Sequence, residues 1–127
     1  MYHNLEAICD TSFLIGLIEY KAFEKLLERF RPVKLYIPES VYRELSSLLR
    51  SRKGLKSKIS PLLNLINRYR DIFIVIPSER DEPDIDVLVL ASKMGLVVAT
   101  LDRNVRVRAW EMGLRVLFFR DGEPYIN

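Results

Sequence analysis

A three-layer α/β/α sandwich with a central, mostly parallel sheet of four to five strands is the fold this sequence predicts, and three observations predict it. Short apolar runs alternate with stretches of helical periodicity, the pattern of a parallel sheet covered by helices. The run Gly95-Leu-Val-Val-Ala-Thr100 is almost wholly apolar, as a strand buried on both faces requires. Acids stand where strand gives way to helix or where a helix begins, at the edge where open α/β sheets gather ligands. A length of 127 residues, 49 % of them hydrophobic, suits one domain spanning residues 1–127 with one core.

In order along the chain, Leu5 to Cys9 is a short strand that stops at Asp10. Thr11 and Ser12 are expected to cap a helix through Phe13, Leu14, Leu17 and Ile18, although Asp10 is itself a common capping residue. Phe23, Leu26, Leu27 and Phe30 have helical spacing up to Pro32. Val33 to Ile37 alternates like a strand, and Pro38, Glu39 and Ser40 restart a helix through Leu49, with Val41, Leu45, Leu48 and Leu49 as its apolar stripe. Leu55 to Ile66 supplies the apolar side of a further helix, broken from the last near Gly54, with Pro61 in its first turn.

Ile72 to Ile76 is the next strand, and residues 77–83 form a charged loop. Pro83 and Asp84 then open a helix that ends with Lys93 in its last turn and Gly95 just past it. Asp86 to Leu90 has strand propensity, but the span to Gly95 is about three helical turns. Such a helix is apolar almost all round and should be buried. Val105, Ala109 and Met112 keep helical spacing up to Gly113, though Val105-Arg-Val-Arg108 also alternates. Leu114 to Phe119 is the last core strand, Asp121-Gly122 a turn, and Pro124 to Ile126 a short edge strand or a tail.

Composition narrows the function classes. A net charge of +3 is too mild to mark the whole chain as a polyanion binder. One cysteine rules out an internal disulfide framework; Cys9 is expected to act as a small buried hydrophobe. No apolar run reaches the ~20 residues that span a bilayer, and the amino terminus lacks a signal-peptide pattern. A soluble, cytoplasmic protein with no membrane partner is the expectation. His3 has no recognisable partner for a catalytic or ligand role.

The acids carry the functional reading. Asp10, Asp84 and Asp102 fall at one sheet edge, and Glu44 lies three residues after Val41 and four before Leu48, on the inward side of its helix. Ser47 and Leu48 occupy the i+3 and i+4 positions, so no helix-surface ion pair in that direction satisfies Glu44. Like-charged carboxylates gathered together either raise one another's pKa or hold divalent cations. Oxygen-only ligands favour Mg²⁺ or Mn²⁺, ions that activate water and stabilise the leaving oxygen of a phosphodiester. Asp86, close to Asp84, is a further contributor to that set, a replacement for Asp84 if the helix register differs, or an exposed helix charge.

Charge is lopsided between Arg43 and Arg70, where eight basic residues face only Glu44. Arg50, Arg52, Lys53, Lys56 and Lys58 are the candidates there for contact with a polyanionic substrate, against the plainer reading of a solvated helical face.

Four segments together resemble the PIN-domain ribonucleases. Asp10-Thr-Ser-Phe-Leu is similar to that family's opening Asp-Thr/Ser motif, and Pro38-Glu-Ser-Val-Tyr-Arg-Glu44-Leu to its strand-Pro-helix segment. Asp84, eleven residues before Gly95, matches the third acid, and Val98-Ala-Thr100-Leu-Asp102 resembles the Thr-x-Asp that carries the fourth. The likeness spans roughly residues 5 to 120 and is fairly specific because all four motifs occur in order.

The resemblance implies Mg²⁺- or Mn²⁺-dependent hydrolysis of RNA to a 5′-phosphate and a 3′-hydroxyl. Asp10, Glu44, Asp84 and Asp102 would ligate the metal; Thr11, Ser12 and Thr100 would orient acids or bound water, with Asn104 a polar neighbour. Within the family, small size suits a VapC-type toxin, which implies a homodimer and an antitoxin partner. Val98-Ala-Thr-Leu-Asp-Arg-Asn104 and Leu114-Arg-Val-Leu-Phe-Phe-Arg120 look more like proteins of rRNA maturation, which implies ribosome-assembly partners. The RNA itself, whether rRNA, tRNA or mRNA, is not specified by the residues. A non-catalytic PIN fold serving RNA binding or assembly is the main rival. A phosphoacceptor receiver would need paired acids after its first strand and Lys after its last, where Asp10 stands alone and Arg120 follows. A dinucleotide-binding domain would need a Gly-rich turn where Asp10-Thr-Ser-Phe stands.

Overall fold

In the computed structural model, which describes residues 3–51 and 56–127, six strands and six helices alternate. Strand β1 (His3–Cys9) leads through α1 (Thr11–Glu19) and α2 (Phe23–Arg29) to β2 (Phe30–Pro38). Helices α3 (Glu39–Ser51) and α4 (Lys56–Arg68) precede β3 (Phe73–Ile76). Helix α5 (Pro83–Met94) leads to β4 (Val97–Ala99), and α6 (Arg103–Glu111) to β5 (Val116–Arg120) and β6 (Glu123–Ile126). The sheet order is β3-β2-β1-β4-β5-β6, with every pair parallel except the antiparallel β5–β6.

This is the α/β class expected, with a larger sheet. The sixth strand is the stretch left open as strand or tail. Asp121 and Gly122 both take positive φ, 53° and 78°, as a two-residue primed turn needs, and Arg120 pairs directly with Glu123. An Asp-Gly between apolar runs is therefore a hairpin signal that the reading as a mere turn undervalued.

Other boundaries moved for identifiable reasons. Pro32 does not end α2; the helix stops at Arg29, and β2 runs through the proline. Proline cannot donate to the ladder, and the β1–β2 register shifts between His3–Phe30 and Leu5–Val33, where Pro32 lies. Pro61 stands in the second turn of α4 rather than its first. Asp10, not Thr11 or Ser12, is the N-cap of α1, its side chain accepting from Phe13 N. Helix, not strand, holds at both ambiguous stretches. Pro83 opens α5, Gly95 closes it at φ 67°, and Val87, Leu88, Leu90 and Ala91 are buried. Val105 and Ala109 turn α6 onto the core.

The connections locate the site. β1 to β2 to β3 steps one way across the sheet, whereas β4 to β5 steps the other, so the direction reverses between neighbouring β1 and β4. Right-handed crossovers then put α1 to α4 over one face and α5 and α6 over the other, consistent with three layers. Contacts agree: α1, α3 and α4 pack together, as do α5 and α6. Buried apolar side chains from both faces form one cluster, in which Phe13, Leu14, Leu35, Leu45, Leu62 and Leu117 have at most 1 % exposure. Among the described residues no helix is long and apolar enough to cross a membrane.

Candidate functional site

The carboxyl ends of β1 and β4 form the crevice that a reversal of strand order leaves open. Asp10 sits at the first of these ends and Thr100 to Asp102 at the second, held together where Asp10 N donates to Ala99 O at 3.0 Å. Asp10 is 2 % exposed, and its carboxylate is fully engaged. Oδ1 accepts from Phe13 N at 2.9 Å and Ser12 Oγ at 2.7 Å, while Oδ2 accepts from the buried Thr100 hydroxyl. Ser12 Oγ in turn accepts from Leu101 N at 2.9 Å, and Thr100 Oγ1 from Asp102 N at 3.0 Å. Ser12 and Thr100 thus tie the end of β1 to the end of β4 through Asp10.

The other acids converge from three helices. Asp84, in the first turn of α5, is half-buried and makes no hydrogen bond among the described residues. Glu44, half-buried on α3, accepts from the Thr11 hydroxyl. Asp102, exposed, is the N-cap of α6; Oδ1 accepts from Asn104 N at 2.8 Å and Val105 N at 3.3 Å, and Oδ2 is left over. Asn104 therefore meets the site through its backbone, not its amide.

Asp84 is the acid through which the set is linked electrostatically. Burial, followed in effect by the charges of Asp102, Glu44 and Glu82, raises the Asp84 pKa, with Arg108 opposing. Burial raises the Asp10 pKa from 3.8 to about 6; its hydrogen bonds from Thr100, Phe13 N and Ser12 oppose this, and the Asp84 charge adds to it. Three of the four stand at helix N-termini, where the helix dipole favours negative charge and offsets part of the repulsion. Among the described residues, no three His, Cys, Asp or Glu side chains converge into a ready-made metal-binding group.

Asp86 is a correction. It is neither a surface charge nor a member of this set, but fully buried, with Oδ2 accepting from Ser40 Oγ at 2.6 Å and Oδ1 from Glu79 N and Arg80 N at 2.8 and 2.9 Å. Burial alone would raise its pKa; the hydrogen bonds from Ser40, Glu79 N, Ser78 and Arg80 N outweigh it and lower the pKa. Asp86 ties α5, α3 and the 77–82 loop together. Two residues on a helix differ by about 200° in direction, so Asp84 and Asp86 cannot serve one spot.

Of the basic candidates, Arg50, Lys56 and Lys58 are described; Arg52 and Lys53 lie outside the described residues. Arg50 and Lys56 are exposed, whereas Lys58 is paired with Glu19 of α1. Beneath the crevice, Gly16 of α1 faces Leu101, and a Cβ there would collide with Leu101 Cδ1. The missing side chain lets the Thr100–Asp102 segment settle against α1.

No family model and no curated protein matches the chain. A solved structure, a domain of a functionally unknown protein from Methanocaldococcus jannaschii DSM 2661, is similar at a TM-score of 0.68 and 19 % identity, over 97 % of this chain and 96 % of that one. The likeness extends over the whole length of both chains and concerns the fold alone.

Proposed function

We propose that the chain is a PIN-type endoribonuclease that hydrolyses RNA phosphodiester bonds with Mg²⁺ or Mn²⁺. The observation that carries this reading is the placement of Asp10, Asp84 and Asp102 at helix starts and of Glu44 on α3 around the point where the strand order reverses, with Asp84 close enough to feel the charges of Asp102 and Glu44 and to act on Asp10. Capping accounts for Asp10 and Asp102 but not for Asp84, whose half-buried carboxylate has its pKa raised by burial and by the neighbouring acids and so is held there at a cost to the fold.

The donor set fits a hard divalent cation. All four candidates are carboxylates, and Asp84, Asp102 Oδ2 and Glu44 retain free oxygen capacity. Asp10, Glu44, Asp84 and Asp102 would hold the ion, which when bound activates water and stabilises the leaving oxygen. The chain's own groups set the stage. Thr11 aims Glu44, and Ser12 and Thr100 fix Asp10 so that only small rotations remain to it. Rigid supports of this kind are what orient liganding carboxylates elsewhere. Between the toxin-like and rRNA-maturation-like readings, the Val98–Asn104 and Leu114–Arg120 segments favour the second.

One observation favours the rival reading of a non-catalytic RNA-binding or assembly module: Asp10 and Asp102 both cap helices and would be useful without a metal. Calorimetric titration of Mn²⁺ into the chelator-treated protein separates the two. Binding that both Asp10→Asn and Asp84→Asn weaken, together with Mn²⁺-dependent cleavage of RNA, is the expected result; absence of binding with and without a non-cleavable RNA favours the module.

The α3–α4 connection supplies a further expectation. Neutralising Arg52, Lys53 and Lys56 together should weaken RNA binding and reduce the slope of log affinity against log salt by about one unit for each phosphate that is no longer neutralised. An unaltered slope places the phosphate-binding surface elsewhere.

A further inference from the structure

At the same sheet edge, α6 and the β5–β6 hairpin build a second arrangement that the acidic cluster does not use. Alternation along β5 turns Phe119 toward Phe13 and Tyr20 of α1, and so turns Phe118 and Arg120 to the face carrying α6. Tyr125 is the register partner of Phe118 and joins them there, with ring centroids 6.2 Å apart. The Arg120 guanidinium lies 4.7 Å from the Tyr125 centroid and 5.9 Å from that of Phe118. From α6, Arg106 reaches over the same Phe118 ring at 5.2 Å. Buried Phe118 is the floor beneath the two guanidinium groups, and Tyr125 is the ring exposed beside them.

Several properties of this cluster point to one kind of ligand. Among the described residues neither Arg106 nor Arg120 has a salt-bridge partner, and Glu123, the register partner of Arg120, is engaged instead by Lys25 and Arg29. The Tyr125 ring is 44 % exposed and Arg120 is exposed, so both remain accessible. The rings attract the guanidinium groups to this place, and a guanidinium group so placed can both stack on a base and donate from its N–H edges to phosphate oxygens. Unpaired bases stack on aromatic rings and guanidinium planes, whereas bases within a duplex are already stacked on one another.

Position connects the cluster to the acids. Ala99 pairs with Leu117, and Thr100 N donates to Leu117 O at 3.0 Å, so Phe118 to Arg120 run alongside Thr100 to Asp102. Arg106 Nη1 also reaches Leu101 O at 3.5 Å, between Thr100 and Asp102.

We propose that Arg106, Phe118, Arg120 and Tyr125 form a stacking platform that binds single-stranded RNA beside the acidic cluster and sets the direction in which the strand leaves it. The identity of the ligand rests on the ribonuclease reading; the platform's contribution to binding is separable from cleavage. Binding is measured with the full chain in chelator, by fluorescence anisotropy of a labelled polyuridylate of about twelve nucleotides, with a duplex RNA of equal length as comparison. Tyr125→Ala is expected to weaken single-strand binding about tenfold and Arg106→Ala with Arg120→Ala more, while Tyr125→Phe stays near the native value. Arg120→Lys, which keeps the charge but loses the plane, should fall between native and alanine. Circular dichroism establishes that each variant is folded.

Native affinity in both the Tyr125→Ala protein and the double arginine variant, or no binding of the single strand by the native protein, overturns the platform. If the native protein cleaves RNA with Mn²⁺ and these variants bind as the native protein does, the platform falls and the nuclease reading stands. If the variants lose binding while no Mn²⁺-dependent cleavage is found, the nuclease reading falls and the platform stands.

Discussion

Asp10→Asn is expected to abolish Mn²⁺-dependent cleavage and, in the absence of metal, to make the protein more stable at pH 8. The substitution removes the one buried charge at the crevice while conserving its volume. The carboxamide oxygen of the variant would still accept from Phe13 N and Ser12, and its NH₂ group could donate to Thr100 Oγ1, whose own proton can turn to Ser12 Oγ, 3.4 Å away. A pKa raised from 3.8 to about 6 means that folding favours the protonated acid. The associated stability is fully present below about pH 3.8 and is lost as pH rises through 6, a difference of at most about 3 kcal/mol.

Metal-free wild type should therefore lose stability between those values relative to Asp10→Asn, and Mn²⁺ should cancel the difference by stabilising the ionised form. Thermal melts of both proteins across that range, with chelator and with Mn²⁺, measure it. A variant less stable than wild type at pH 8 would show that the carboxylate serves α1 as a cap before anything else. Unchanged cleavage would dismiss Asp10 from the chemistry.

Asp86→Ala should produce the largest loss of stability, about 2 kcal/mol or more, because it strands the buried Ser40 Oγ and takes away the shared acceptor of the Glu79 and Arg80 N–H groups. Asp84→Asn, two residues earlier, should alter folding little and metal binding greatly. Denaturant unfolding of the pair reads the contrast directly, and comparable stabilities would mean that the two acids have been assigned to the wrong tasks. The pH dependence has the opposite sign from that of Asp10. The lowered Asp86 pKa gives stability present above about pH 3.8 and lost as pH falls through its folded value, so acid should narrow the gap between wild type and Asp86→Ala.

That contrast also marks where sequence reasoning runs short. Periodicity identified α5 and its ends, because Pro83 and Gly95 each meet a local conformational need that few other residues meet. Choosing between Asp84 and Asp86 needed the direction of each side chain, and an error of two residues in helix register exchanges a crevice for a core. Buried Asp86 was the hardest residue to foresee, since its partners are backbone N–H groups of a loop and a serine 46 positions away. Five parallel strands were legible because covered strands are written as apolar runs. The sixth, at the sheet edge, has the burial pattern of a half-exposed strand and announced itself only through its turn. At the acids, motif order located the residues, whereas the hydroxyl network of Thr11, Ser12 and Thr100 followed from the resemblance rather than from any periodicity. Arg106 and Arg120 escaped notice because cation–ring stacking joins elements distant in sequence.

The Leu101 side chain, between Thr100 and Asp102, occupies the space that the absent methyl group at Gly16 leaves. Any larger residue at position 16 must turn that side chain aside. Mutational libraries aimed at changing which cation the proposed site prefers should accordingly vary positions 16 and 101 together and leave the four acids alone. The two positions fill one shared space beneath the segment that carries Asp102, and a change at either is felt first by the other.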